Sequence, residues 1–316
     1  MGRANGSGSI SLEVRMRVRS HCQRICNSLQ GYAVAVLLGV MLLPAHSTVQ
    51  TPPTEADWYR FDLPPLYIAE GEFRYRGIIN TVLSRLLKTA YPDRPQTITT
   101  LPLKRVELLL RQSPHACVLG LLKNPDRERE MLFSIPFLTQ LPPGVFARRS
   151  DEARLSSYLD SNGKLNLTRV LKDGRLTVGI VGGRSYGATL DEMLAPYQGR
   201  PNVFVNHATK PYPSLMQMAL AKRVDLVPGF PYEAQFLSRQ DGIQLQTMRF
   251  YALSEQPKFL LGYAACAKSA VGQATIQTIN EVLARKEFRD QAQHLYESWL
   301  DADARQLARQ AHKLAN

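Results

Sequence analysis

The chain has 316 residues, 44% of them apolar and 21% charged, which places it among ordinary globular proteins and makes it long enough for two compact lobes. A formal charge of +12 raises a nucleic-acid reading, but the distribution of the charge argues against it. Residues 1–47 hold Arg3, Arg15, Arg17, Arg19 and Arg24 against Glu13 alone, and the remainder mixes 34 of the 39 basic with 26 of the 27 acidic side chains, without a lysine-rich run or a basic stripe interleaved with aromatics.

Tyr32 to Leu43 form an apolar stretch too short for a comfortable bilayer span, preceded by those arginines. This is the pattern of a secretory signal. Pro44 breaks the helix, Ala45, His46 and Ser47 offer a cleavage site after Ser47, and a start at Met16 gives a conventional basic leader. The alternative is an uncleaved membrane anchor. Cys22 and Cys26 leave with the leader, so Cys117 and Cys266 remain. In an oxidising compartment these two can pair, or stay as separate buried thiols, and the residues alone leave both open. His115, His207, His294 and His312 lack metal-ligand spacing, and the glycine loop at 182–187 is neither a Walker loop nor the dinucleotide fingerprint, so no metal or other cofactor is expected.

A Pro/Thr-rich leader at 48–55 is followed by a short strand beginning at Trp58 and interrupted by Pro64 and Pro65. Ile78, Ile79, Val82, Leu83, Leu86 and Leu87 recur at helical spacing and predict an amphipathic helix ended by Tyr91, Pro92 and Asp93. A β-branched strand over 97–103, a helix over 105–112 and a continuous apolar strand at 116–122 complete an alternating β-α order, which predicts a parallel sheet covered by helices. After a polar, turn-rich stretch at 154–174, strands near 175–183, 202–208 and 224–230 alternate with helices around 190–194 and 214–223, a smaller copy of the same architecture. A strand over 259–268 and one long amphipathic helix from Ile279 to Leu300 close the pattern. These elements need a sheet to pack on, and returning to the first lobe would leave two hinge crossings. The predicted organisation is a signal region over 1–47, a first lobe over 48–147, a second over 148–245, and a return to the first lobe with C-terminal helices over 246–316.

Local strings resemble the family 3 extracellular solute-binding proteins, periplasmic components associated with amino-acid import, across most of residues 57–300. The most specific string is at 124–137, where Asn124, Pro125, Asp126 and Arg127 precede Phe133, Ser134, Ile135, Pro136 and Phe137 at the family's spacing. The resemblance implies a type II two-lobed periplasmic-binding fold, each lobe a mainly parallel sheet flanked by helices. It also implies that Arg127 grips a ligand carboxylate, for which a planar guanidinium fork is suited. Without the resemblance Arg127 reads as one member of a solvated charge run. A second matching string, 176–194, places Gly182, Gly183 and Ser185 in a strand-to-helix loop whose N–H groups could receive an anion, or which is a plain glycine turn. A third, 62–78, implies that an aromatic near the paired prolines packs on the ligand. Tyr67 and Trp58 are the candidates, with core or hinge packing as the alternative. Arg105 is a further pocket charge or a solvated helix position. Where amino-acid binders carry an aspartate for the ligand's ammonium group this chain has Phe230, with Asp225 at the strand start and Glu233 as the nearest substitute.

The function these features predict is capture of a small anionic or zwitterionic, amino-acid-like solute by a monomeric exported protein working with a membrane permease or receptor, without nucleic acid. The other readings are an enzyme on the same frame, dehydratase-like or peptidoglycan-cleaving, or a solute-sensing module. For an enzyme the chain offers no nucleophile elbow, no paired His-Glu-x-x-His and no cysteine in a nucleophile context.

Overall fold

The structure is a computed structural model in which residues 55–315 are described. The expected signal segment, its cleavage site, Cys22 and Cys26 lie outside the described residues. The strands are β1 (Asp57–Arg60), β2 (Ile98–Thr100), β3 (Ala116–Leu122), β4 (Met131–Phe133), β5 (Leu138–Gln140), β6 (Gly144–Arg148), β7 (Val178–Val181), β8 (Val203–Asn206), β9 (Leu226–Gly229), β10 (Met248–Tyr251) and β11 (Leu260–Ala267). The helices are α1 (Ile78–Ala90), α2 (Leu103–Gln112), α3 (Pro125–Glu130), α4 (Glu152–Leu155), α5 (Leu167–Asp173), α6 (Ala188–Leu194), α7 (Pro211–Leu220), α8 (Pro231–Asp241), α9 (Ala270–Leu283), α10 (Lys286–Glu297) and α11 (Ala302–Ala315).

Two mixed sheets result. The first has the order β2-β1-β3-β11-β4, with β5 also paired to β11; the second has the order β10-β6-β9-β7-β8. Within the first, β1 runs parallel to β2 and β3, and β11 returns antiparallel. Within the second, β7 is parallel to β8 and β9, and β6 and β10 are antiparallel. Among the described residues the chain passes between the sheets twice, from β5 to β6 and from β10 to β11. Where the first crossing enters β6, Gly144 is required, since a Cβ there would stand 2.3 Å from the Tyr251 carbonyl oxygen.

Apolar periodicity explains the packing. All six apolar positions read for α1 are buried, each worth roughly 1.5–3 kcal/mol of burial. The continuous run of β3 is covered on both faces, as expected of a central strand. In the second sheet, strand alternation divides two cores. Val145 and Ala147 of β6, Leu226 of β9 and Tyr251 of β10 face one cluster, whereas Phe146, Val227 and Phe250 face the other. That second cluster is continuous with the core of the first sheet. The junction is aromatic: Tyr232 of α8 meets Tyr296 of α10 edge-on at 6.1 Å, and Phe236 lies 6.2 Å from Trp299.

The single long helix expected from Ile279 to Leu300 is two helices. Arg285 leaves the helical region at φ −71° and ψ 120°, and Arg289 Nη1 donates to the Leu283 and Ala284 carbonyls at 2.7 and 2.8 Å. The carbonyls orphaned at the end of α9 are thereby satisfied, and α10 is free to turn and pack on β5. Cys117 and Cys266 stand directly opposite on β3 and β11 and are joined by a disulfide. No helix among the described residues is long and apolar enough to cross a membrane.

Candidate functional site

In open α/β sheets, ligands bind outside the carboxyl ends of the parallel strands. In the first lobe those ends carry Arg60 as the last residue of β1, Thr100 as the last of β2, and Lys123 and α3 after β3. Asn124 caps α3 by accepting from Arg127 N at 2.8 Å, which sets the start of the helix and the position of Arg127. The Arg127 side chain is turned inward, with 21% of its surface exposed. Its Nη1 donates to the Leu122 carbonyl at 2.7 Å and its Nη2 to Glu107 Oε1 of α2 at 2.5 Å. The fork expected to meet a solute carboxylate therefore meets a carboxylate of its own chain. Beside it, Lys123 pairs with Glu128 at 2.9 Å and lies 5.2 Å from the Tyr263 ring.

In the second lobe the strand ends carry Gly182, Gly183, Arg184 and Ser185 after β7, His207 after β8 and Phe230 after β9. Gly183 adopts φ +71°, which favours glycine. Asp191 of α6 occupies the inner side of this loop: one carboxylate oxygen accepts from the Ser185 hydroxyl, and the other accepts from Tyr186 N at 2.7 Å. Gly182, Gly183, Arg184, Tyr186, Asp191 and His207 line a hollow of about 380 Å³.

Arg184 bonds Glu233 Oε1 at 2.6 Å, and the Phe230 N–H donates to Glu233 Oε2 at 2.8 Å. The carboxylate that stood nearest to replacing the family's aspartate is thus engaged at both oxygens inside the lobe. Burial pushes the Arg184 guanidinium down, but the Glu233 carboxylate together with the Tyr212 and Tyr186 hydroxyls outweighs this and holds it above its usual range. Burial raises the Tyr212 hydroxyl well above its ordinary value, with Glu233 adding to the effect. Phe230 stacks on Tyr232 at 5.1 Å with the rings 8° from parallel.

The other candidates are dispersed. Trp58 presents no surface to solvent, and Tyr67, also buried, donates its hydroxyl to the Leu119 carbonyl at 2.8 Å. Both are packed in the core of the first lobe. Arg105 is exposed on the first turn of α2. Glu107 and Asp191, which hold Arg127 and Ser185, were not singled out by sequence reasoning, because nothing local marks an acidic residue as the partner of a distant arginine or loop. A further group it passed over is Arg60, Arg74, Tyr75 and Thr100. Its only local signal is an arginine on either side of a tyrosine at 74–76.

No protein-family model matches the sequence, and no curated protein is similar enough to count as a relative. Solved structures do match. An ancestral cationic amino acid solute-binding protein aligns with TM-score 0.56 at 13% identity, over 78% of this chain and 95% of that one. A probable amino-acid ABC transporter extracellular-binding protein of Bacillus subtilis aligns with TM-score 0.55 at 14% identity, over 79% and 98%. A histidine kinase sensor domain described as similar to periplasmic binding proteins aligns with TM-score 0.51 at 13% identity, over 78% and 97%. The chain has the two-lobed fold of the periplasmic binding proteins.

Proposed function

We propose that the protein is an exported solute-binding protein, a divergent relative of the family 3 amino-acid binders, that closes on a small anionic or zwitterionic, amino-acid-like solute for import. The observation that carries this reading is the pair of separate sheets joined, among the described residues, by two crossings, with polar loops at the carboxyl ends of the parallel strands in both. The names of the matching structures support it, two of them being amino-acid binders. In this reading Arg127 and the Gly183 to Ser185 loop are latent contacts. Each is held by an internal carboxylate, Glu107 or Asp191, that a solute anion exchanges with as the lobes close. Closure is then favoured by whatever binds the closed state better than the open one.

The likeness to a kinase sensor domain supports a second reading, in which the same solute-loaded state is reported to a membrane receptor. Thermal unfolding of the purified protein against amino acids, organic acids, polyamines and short peptides tests the shared premise, because a ligand bound only by the native state raises the melting temperature. An upward shift with a defined class of compound is expected; no shift with any compound removes both readings. Turnover of the bound compound would move the assignment to an enzyme.

A further inference from the structure

Most of the anion-binding devices at the strand ends are neutralised from within: Arg127 by Glu107, Arg184 by Glu233, and the Ser185 loop by Asp191. One is not. At the carboxyl ends of β1 and β2, the Arg60 guanidinium carbon stands 3.7 Å above the Tyr75 ring centre and that of Arg74 stands 4.5 Å from the same centre. Arg60 Nε donates to the Thr100 hydroxyl at 2.7 Å, and Arg74 Nη2 donates to the Tyr75 hydroxyl at 2.6 Å. These bonds orient both forks and leave further N–H donors on each.

No carboxylate among the described residues lies within ion-pairing distance of either guanidinium. Two like charges are thus gathered on one ring without a counter-ion, an arrangement that favours a negative guest. Tyr75 holds its place at φ +61°, an uncommon conformation for a bulky residue, with its N–H tied to the Ile68 carbonyl at 2.8 Å. Strain of this kind persists where surrounding contacts enforce it, and it gathers at binding sites. The hydrogen bond from Arg74 pulls the Tyr75 hydroxyl below its ordinary range, and the Arg60 charge acts in the same direction. Arg74, Tyr75 and Thr100 border a hollow of about 400 Å³ with Ala69, Glu70 and Gly71. The one acidic wall, Glu70, forms no ion pair with either arginine.

We propose that Arg60 and Arg74, braced by Thr100 and Tyr75, form the first lobe's open receptor for an acid group of the solute, so that the solute is a carboxylate-bearing anion rather than a cationic or neutral amino acid. The inference rests on the solute-binding reading and narrows it. Unlike Arg127, this pair needs no internal carboxylate displaced before a ligand carboxylate can bind. Bidentate pairing of a guanidinium with a carboxylate supplies both charge and direction.

The test uses the purified protein, with glutarate, L-glutamate, L-glutamine and L-lysine as probes, read by thermal shift and by calorimetric affinity. Glutarate and L-glutamate are expected to raise the melting temperature, and L-glutamine and L-lysine to leave it unchanged. Arg60→Gln and Arg74→Gln are each expected to weaken acid binding at least tenfold, with Arg60→Lys retaining part of it. Both positions lie at the surface of the lobe, so an unliganded melting temperature equal to that of the wild type shows that the variants fold. Acid binding that survives in Arg60→Gln/Arg74→Gln, or a shift with L-glutamine or L-lysine alone, overturns the receptor assignment and leaves the solute-binding reading intact. No shift with any probe or with the wider panel overturns both.

Discussion

The Arg127 guanidinium donates to Glu107 Oε1 at 2.5 Å while its other arm holds the Leu122 carbonyl at 2.7 Å, so α2, α3 and the end of β3 are tied through one side chain. Both partners of the ion pair are about one-fifth exposed. Arg127→Ala strips the pairing from Glu107 and leaves a carbonyl without its donor, at a cost of about 1–2 kcal/mol. Glu107→Gln removes the internal competitor while preserving the shape of the site. If Arg127 is a latent ligand contact, Glu107→Gln strengthens binding of an anionic solute by roughly threefold to tenfold, read by calorimetry. Unchanged affinity in both variants would make the pair purely structural.

The disulfide between Cys117 and Cys266 closes a chain segment of 149 residues that contains the whole second sheet. Chain entropy alone assigns such a cross-link about 5 kcal/mol, with measured effects commonly 2–5 kcal/mol. Cys117→Ala/Cys266→Ala is therefore expected to lower the urea midpoint clearly, and a reductant should do the same to the wild type. Equal midpoints would mean that the paired strands β3 and β11 hold each other without the covalent bond.

The Arg184 to Glu233 pair is part-buried in the second lobe, with Glu233 the enclosed partner at 8% side-chain exposure. Removing one member strands the other charge. Arg184→Met is expected to cost about 3–5 kcal/mol. Adding Glu233→Gln to it should recover part of that loss, since the amide oxygen still accepts from the Phe230 N–H. A double-mutant cycle by denaturant unfolding measures the coupling. Additive losses would show that the two charges do not depend on each other.

Burial raises the hydroxyls of Tyr67, Tyr212, Tyr232 and Tyr296 above their ordinary range. In the unfolded chain these groups lose protons near pH 10, whereas in the folded protein they keep them. The unfolded state therefore binds fewer protons above pH 10, and stability falls as pH rises, by about 1.4 kcal/mol per pH unit for each group. The contribution is fully present below pH 10. Denaturant midpoints from pH 9 to 11.5 should show this steep alkaline loss, with exposed tyrosines such as Tyr75 ionising in the folded protein and the tyrosinate absorbance of the buried groups appearing only as the protein unfolds. Complete tyrosine ionisation ahead of unfolding would contradict it.

The parts of the fold that were legible in the sequence depend on nearest neighbours along the chain. The spacing of Ile78 to Leu87 defined α1, and the apolar run at 116–122 defined β3 to the residue, because a period of 3.6 or an unbroken apolar run reflects burial directly. The break at Arg285 was not legible, since its cause is Arg289 reaching back to the carbonyls of Leu283 and Ala284 while α10 packs on β5.

The site divides in the same way. The sequence by itself determined which residues could offer hydrogen-bond donors to an anion at the strand ends: Arg127 after β3, and Gly183 and Ser185 after β7. Only the tertiary structure decided what those groups face. Glu107 lies 20 residues from Arg127, and Glu233 lies 49 from Arg184. Arg60 and Thr100, 40 residues apart, meet because β1 and β2 pair in parallel with these two residues in register. Electrostatic partnership depends on distance in space and on exclusion of water, and neither is a property of position along the chain.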